Sequence, residues 1–407
     1  MEKLTSIDRE LLITELKLCY AYFLKEANWN KYSHGYGLIR DKSYVTPNVS
    51  SVAAVGFGLA ALVTAVKNDW ISEEEARQKA DGTLNTFLSS VENNHGFYHH
   101  FININNGSCE LDSEISIMDT GIFICGAITA GEFFGNGVKE KADKLYRIIN
   151  WEWLVDKNKN MFYLGNKPDN GSFGNWDYYS EQLILYILGA GSPTYPIDKG
   201  LYDVIKKPVG EYNEHKNIIC SWFGSLFTYQ FSHAWIDFRD TEDEKGINWY
   251  ENSVKATLAN RQFCIDNKSR FKTFGENSWG ISASLSPNGY NGECGALPAC
   301  TELKNDGTIA PYGAVSSIVF TPELSLTALK HFYLEYPELV GEYGLKSAFN
   351  LEQANPWFSH EYLGIDKGIT LIMIENYLNE SIWQNCMQSE YVQRGMDRLC
   401  FRKKGIK

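Results

Sequence analysis

Apolar residues recur at three- and four-residue spacing through most of this chain, and that period commits it to packed helices before any motif is considered. Thr5 and Ser6 can cap a first helix carrying Leu12, Leu16, Cys19, Tyr20 and Phe23 on one stripe. Val52, Val55, Leu59, Leu62 and Val66 form a second, in which Gly56 and Gly58 leave room for close helix contact. Ser72 and Glu75 make a capping box for a third, with Ala76, Ala80, Leu84, Phe87 and Val91 facing inward. Further helices are expected at about 117–134, 138–149, 177–188, 226–239, 249–265, 323–335, 366–378 and 381–400.

The connections alternate in character. Asn68-Asp69 and Gly135-Asn136-Gly137 are short and polar, whereas Phe97 to Phe101, Phe173 to Tyr179, Trp279 to Tyr290 and Trp357 to Asp366 are long and aromatic. Long loops on one side imply a functional face. No Pro/Gly/Ser-rich linker divides the chain, so one all-α domain of paired helices arranged in a ring is expected over residues 1–407. A stacked solenoid competes, but there is no repeat of fixed period.

Composition narrows the partners. A net charge of −12 with no Lys/Arg block argues against nucleic acid, whose binding needs clustered cations, and favours a neutral ligand. The N-terminus lacks a basic segment followed by an apolar run, and no later run is read as a membrane span. A cytoplasmic protein without a membrane partner is therefore expected. The nine cysteines, an odd number and scattered, fit reduced thiols better than a disulfide framework. None has zinc-like spacing, His99-His100 and His233 lack ligand spacing, and no phosphate-binding glycine loop is present, so no metal and no cofactor are expected. Ser180 and Ser284 lack the context of a serine nucleophile. Oligomeric state is not encoded in any of these features.

The segment from Ser221 to Asp266 interleaves aromatic rings with Gln230, His233, Asp237, Arg239 and Asn252. Rings cover the C–H face of a pyranose while planar amides, carboxylates and guanidinium groups fork onto its hydroxyls, so a sugar cleft is one reading. A helix with a mixed buried face is the other. Three carboxylate groups stand in the aromatic loops. Glu181 begins a helix among aromatic neighbours, where burial would raise its pKa and make a general acid; a Glu serving the helix dipole is the plainer reading. Glu110, Asp112, Glu114 and Asp119 cluster before a Gly-rich helix, and Asp366 stands at another helix start, where N-capping is the default role.

Ordered motifs then carry a resemblance from about Gly35 to Leu399. They are Glu114-Ile115-Ser116 with Asp119-Thr120, Tyr179-Ser180-Glu181 with Gly191 to Thr194, Phe227 to Arg239, Ala259 to Asp266, Trp279-Gly280-Ile281-Ser282, and Gly364 to Gly368 with Ile374 to Tyr377. Together they resemble the glycoamylase-like family, and within it the β-1,2-glucanases of glycoside hydrolase family 144.

The resemblance implies a single (α/α)6 toroid of six inner and six outer helices, with a pocket of aromatic loops at one end that holds β-1,2-linked glucan or its oligosaccharides. It implies Glu181 as general acid and Asp366 as general base, with Glu114 and Asp119 as the other candidates for base. Trp222, Gln230, His233, Asp237, Arg239 and Trp279 would hold glucosyl units, with Tyr290, Tyr362 and Asn376 as secondary contacts. Two departures bear on mechanism. Related transglycosylating domains resemble this chain around Trp279 but carry a nucleophilic Glu where Ala283 stands, and the Asp112, Ser116, Asp119 pattern lacks one acid of the endo-acting relatives. Inverting hydrolysis, with carboxyls about 6.5–9.5 Å apart, is therefore the expected reaction. A transglycosylase or phosphorylase, a non-catalytic glucan-binding protein and a sugar isomerase using His99, His233 and His360 are the alternatives.

Overall fold

The computed structural model describes residues 4–405, and helices make most of its regular structure. Helix α1 (Ser6–Lys25) is capped by Thr5, α2 (Val52–Lys67) by Ser51 and α3 (Glu73–Ser89) by Ser72, whose hydroxyl accepts from the Glu75 amide at 3.2 Å. There follow α4 (Ile117–Phe134), α5 (Asn136–Arg147), α6 (Leu183–Gly191), α7 (Gly200–Asp203), α8 (Phe231–Trp235) and α9 (Trp249–Asp266). The last are α10 (Pro311–Val315), α11 (Pro322–Glu335), α12 (Gly364–Asn379), α13 (Ser381–Met387) and α14 (Glu390–Arg398).

Helices α2, α4, α6 and α12 are buried almost all round, whereas α3, α5 and α11 bury one stripe. The buried set packs at glycine contacts that admit no side chain. A Cβ on Gly126 would lie 2.1 Å from the Gly56 carbonyl oxygen, one on Gly121 would lie 2.5 Å from Leu185, and one on Gly368 would lie 2.2 Å from Phe57. Each contact joins residues from the N-terminal part of one helix to residues from the N-terminal part or middle of its neighbour. The starts of α2, α4, α6 and α12 lie at the same end of the molecule, since the Val52 amide donates to the His100 carbonyl, His100 pairs with Asp119, and Asp119, Glu181 and Asp366 all act electrostatically on Tyr290. The outer helix α3 runs the other way, since Phe87 near its C-terminus stacks on Phe123 near the start of α4 with ring centroids 3.8 Å apart.

Several sequence expectations shift. The helix expected at 226–239 is a 3-10 turn at Leu226–Tyr229 followed by the short α8, and the chain is extended from Ile236. Asp237 Oδ1 accepts from the Arg239 amide at 3.0 Å, a local bond that competes with further helix. The stretch 381–400 breaks into α13 and α14 because Ser389 caps the second. Helix α10, begun by Pro311 at its first turn, is too short for periodicity to reveal. The long connections, read as loops in an all-α chain, contain short strands. Asn93–Asn94, Phe97–His99, Ile115–Ser116, Gly165–Lys167 and Gly171–Phe173 form an antiparallel sheet in that order. The expectation that no run is long and apolar enough to span a membrane also needs correction. Helix α4 is, by length and composition, yet most of it is buried against α2 and α5.

The nine cysteines are free, six of them buried. We expect Gly126→Ala to cost about 1–3 kcal/mol, because the new methyl meets backbone rather than a movable side chain. Urea unfolding followed by circular dichroism measures this, and the loss should exceed that of Ala127→Gly at the neighbouring position.

Candidate active site

The shared N-terminal end gathers carboxylates from four segments. Glu181 does not lie within a helix, as its sequence context suggested; it occupies the turn before Gln182, the N-cap of α6. Ser232 of α8 fixes that turn, donating its hydroxyl hydrogen to the Glu181 carbonyl and accepting from the Ile184 amide at 3.3 Å. The Ser180 hydroxyl donates to the Glu181 carboxylate. Glu181 is 8% exposed, and burial raises its pKa to about 7 against the Ser180 bond, with the Asp119 charge adding to the rise.

Asp366 is the third residue of α12, where capping was its expected default. Other groups take that role. The Leu363 amide donates to Ser347 Oγ at 3.1 Å, the Tyr362 amide to Ser43 Oγ at 3.0 Å and the Gly364 amide to the Asp41 carbonyl at 2.8 Å. The Asp366 carboxyl is not needed as a cap, and its Oδ2 has no hydrogen-bond partner among the described residues. Burial raises Asp366 to about 7, against the pull of Ser347 and the neighbouring Lys367 ammonium. Lys367 in turn is tied down beneath it, donating to the Leu345 carbonyl at 2.6 Å, to the Tyr343 carbonyl at 3.1 Å and to the buried Glu15 carboxylate at 3.2 Å.

Asp119 and Glu114 stand differently. Ser116 caps α4, its hydroxyl accepting from the Asp119 amide at 3.1 Å and donating to the Asp119 carboxylate. His100 stacks on Phe101 and bridges the two acids, with Nδ1 3.2 Å from Glu114 and Nε2 3.6 Å from Asp119. Burial works against protonation of His100, yet the Asp119 and Glu114 charges prevail and raise its pKa to about 9. The His100 bond holds Glu114 below the usual carboxylate range. His100 thus places a cation between these two acids, whereas Glu181 and Asp366 have no ion-pair partner.

Tyr290, on the hairpin Ser284–Ser286/Gly289–Asn291, is half exposed, and its hydroxyl lies within electrostatic reach of the whole group. Burial of the hydroxyl raises its pKa, and Asp366, Asp41, Glu181 and Asp119 each add to the rise. Trp222 stacks on Trp176 at 5.4 Å and donates its indole N–H to Asp177 at 3.3 Å, beside the segment that leads to Glu181. Its partly open face is a surface on which a sugar ring can rest.

The other expected contacts are elsewhere. Gln230 is wholly buried and donates to the Gly313 carbonyl at 2.7 Å and to Ser317 at 2.9 Å. His233 pairs with Ser253 at 3.0 Å among Phe238 and Phe320, and burial lowers its pKa to about 3. Trp279 is fully buried, and Asn376 joins α12 to the Ala234 carbonyl and the Trp383 amide. Tyr362 is buried against Tyr343 with Lys367 beside its ring. These five are framework, because the aromatic and amide groups that suit a sugar also suit a tightly packed helix junction. Asp237 and Arg239 lie at the opposite end. Arg239 forks onto Asp237, pairs with Glu380 at 2.7 Å and covers the Trp383 ring at 4.5 Å. Glu380 caps the C-terminus of α12, about 20 Å of helical rise from Asp366.

Asp41 was missed. It is buried, and burial raises its pKa against Lys42 and His100, with Asp119 adding to the rise. Flanked by Arg40 and Lys42 in an irregular stretch, it reads in sequence as a solvated charge, and no local pattern distinguishes it. Among the described residues no group of three or more His, Cys, Asp or Glu could hold a metal ion.

A folded-state pKa above the unfolded one means that the native protein binds more protons. Glu181 and Asp366 should therefore lower stability as pH rises from about 4 to about 7, each by on the order of 3 kcal/mol. Glu181→Gln and Asp366→Asn should each flatten that slope, so that either variant gains on the wild type at pH 8 relative to pH 4. Urea midpoints at the two pH values test this, and an unchanged slope would mean that neither carboxyl is held in its neutral form.

Known proteins resemble this chain in sequence and in fold. The model of a family described as "Putative glucoamylase" matches residues 174–390. An exo β-1,2-glucooligosaccharide sophorohydrolase (non-reducing end) of Parabacteroides distasonis is 26% identical over 92% of this chain, which spans 57% of that relative's length. A putative glucoamylase from Bacteroides uniformis superimposes with a TM-score of 0.85 at 28% identity, covering 100% of both chains. An endo-β-1,2-glucanase from Chitinophaga pinensis, solved with sophorotriose and glucose, superimposes with a TM-score of 0.87 at 27% identity over 97% of this chain and 98% of its own. The family model spans more than half of the sequence, including Glu181 and Asp366, and the chain belongs to this glycoamylase family.

Proposed function

We propose that this chain hydrolyses β-1,2-linked glucooligosaccharides with inversion, Glu181 acting as general acid and Asp366 as general base, within a single (α/α)6 toroidal domain. The observation that carries the reading is the pair of buried, neutral-leaning carboxyls at the N-termini of two buried helices that open at the same end. A group that holds its proton near neutrality can protonate a departing glycosidic oxygen, and a second carboxyl free of ion pairs can take a proton from water. The substrate follows from the β-1,2-glucan activities named for the relatives, and hydrolysis from the chemistry of the carboxyls.

The roles separate by environment. Asp119 and Glu114 each share His100, so their charge is already compensated and they serve better to shape the field around the sugar than to accept a proton. Asp41 lies beside Asp366 in the electrostatics of the end and helps keep its proton affinity high. Such a base is poised near the working pH rather than permanently ionised, which suits proton transfer from water or through a substrate hydroxyl. Ala283 stands where a covalent mechanism in the resembling transglycosylating domains would need a carboxylate.

Incubation with linear β-1,2-glucan and with sophorooligosaccharides, followed by sizing of products, tests the reaction. Glu181→Gln should lose about 10²–10⁴-fold in turnover. The pH profile of kcat/KM should be a narrow bell centred near neutrality, since the base must be ionised while the acid stays protonated. Proton NMR in the first minutes should show the α-anomer released from the β-linkage. Initial release of the β-anomer, or a glycosyl adduct in intact-protein mass spectrometry, would overturn inversion.

A further inference from the structure

We propose that the groove between the Asn28–Gly37 loop and the outer face of α3 is a second saccharide site, which holds a neutral glucan chain away from the carboxylates. The groove measures about 610 Å³ and is lined by that loop and by residues Arg77 to Ser90. None of the acids at the helix N-termini lines it.

The loop is built to present the Tyr32 ring to this surface. Asn28 donates to Ser33 Oγ at 2.8 Å and to the Ile104 carbonyl at 2.9 Å, Ser33 donates to the Asn105 carbonyl at 2.9 Å, and the Gly37 amide donates to the Asn28 carbonyl at 2.7 Å. Gly35 lies so close to the Ile104 carbonyl that a Cβ would stand 2.0 Å from its oxygen. A loop pinned in this way has already lost the freedom that ligand binding would otherwise remove. It holds Tyr32 97% exposed. It also packs Tyr36 onto α3 at Gly82, where a Cβ would meet the ring at 2.4 Å, and Trp29 holds that ring edge-on with centroids 5.5 Å apart, so Tyr36 anchors the loop beneath Tyr32.

On the α3 wall the charged groups are paired, whereas Lys31 and His34 on the loop stay exposed and can donate to sugar hydroxyls. Arg77 is forked onto Glu74 at 2.8 and 2.9 Å, and Asp81 pairs with Lys141, so both charges are compensated. Asn85 is exposed and offers a planar amide to solvent. The open Tyr32 ring on one wall and amide and hydroxyl groups on the other match the amphipathic faces of a pyranose. The choice of β-1,2-glucan as the chain rests on the function proposed above; the presence of a saccharide site does not.

The test uses the full chain in native gels cast with and without linear β-1,2-glucan, together with steady-state kinetics on the polymer and on sophorotriose. Glucan should retard the wild type. Tyr32→Ala, which removes the exposed ring, and Asn85→Trp, which fills the groove, should reduce the retardation and raise KM for the polymer by roughly two- to tenfold, the range expected for loss of one ring contact. Both should leave kcat and KM for sophorotriose unchanged. Retardation equal to wild type in both variants would overturn the proposal. So would an equal loss on sophorotriose, or binding that collapses in high salt, which would indicate an anion site. Gel retardation needs no turnover, so a chain that is retarded through Tyr32 but cleaves nothing would sink the proposed reaction and leave the groove standing.

Discussion

Where two helices approach so closely that the Cβ of an alanine would strike backbone, their relative position is fixed by rigid main-chain atoms rather than by adjustable side chains. Gly56 with Gly126 imposes that condition on α2 against α4, and Gly368 seated on the Phe57 ring holds α12 to α2 almost as closely. Interiors at this density do not accommodate small shifts, so the helix ends are located as firmly as the packing beneath them. Gly121 against Leu185 adds α6 to the same arrangement. The site is a consequence: four helix starts are delivered to one end, each bringing the acidic or hydroxyl residues that helix starts favour.

Two effects then compete at those ends. A helix N-terminus favours the charged form of a nearby carboxylate by about 0.3–1 kcal/mol. The rise of Glu181 from 4.5 to about 7 corresponds to on the order of 3 kcal/mol in the opposite direction. Desolvation wins for Glu181 and Asp366 because neither has an ion-pair partner. For Glu114 the His100 imidazolium reverses the outcome. One end of the molecule thus holds proton-bearing and charged acids side by side, and the difference lies in their neighbours rather than in their residue type.

Support for Asp366 comes from an expensive arrangement below it. Lys367 and Glu15 are both buried, and such a pair gains little over apolar residues of the same size. What it provides is direction. Three donor bonds from one ammonium tie α12 to the Tyr343–Leu345 turn and to α1, and they turn Lys367 away while Asp366, one residue earlier, faces the shared end. Gln230, Asn376 and His233 do comparable work at other junctions, each satisfying backbone or hydroxyl groups that burial would otherwise leave unpaired.

The sequence by itself determined the helices whose apolar stripes are long, the caps at Thr5 and Ser72, and the candidacy of Glu181, because these depend on contacts within a few residues; Asp366 reads locally as a cap and is a candidate base only through the resemblance. Motif order along the chain carried the family. Tertiary structure decided which polar residues face the opening. Gln230, His233, Trp279, Tyr362 and Asn376 have the right chemistry for a sugar and are packed into the frame, while Arg239 belongs to the far end of α12. Asp41 has no local signature and reaches the site only because its carbonyl caps α12 across the molecule. Burial and partnership are properties of contacts between segments distant in the chain, and periodicity along one segment contains no information about them.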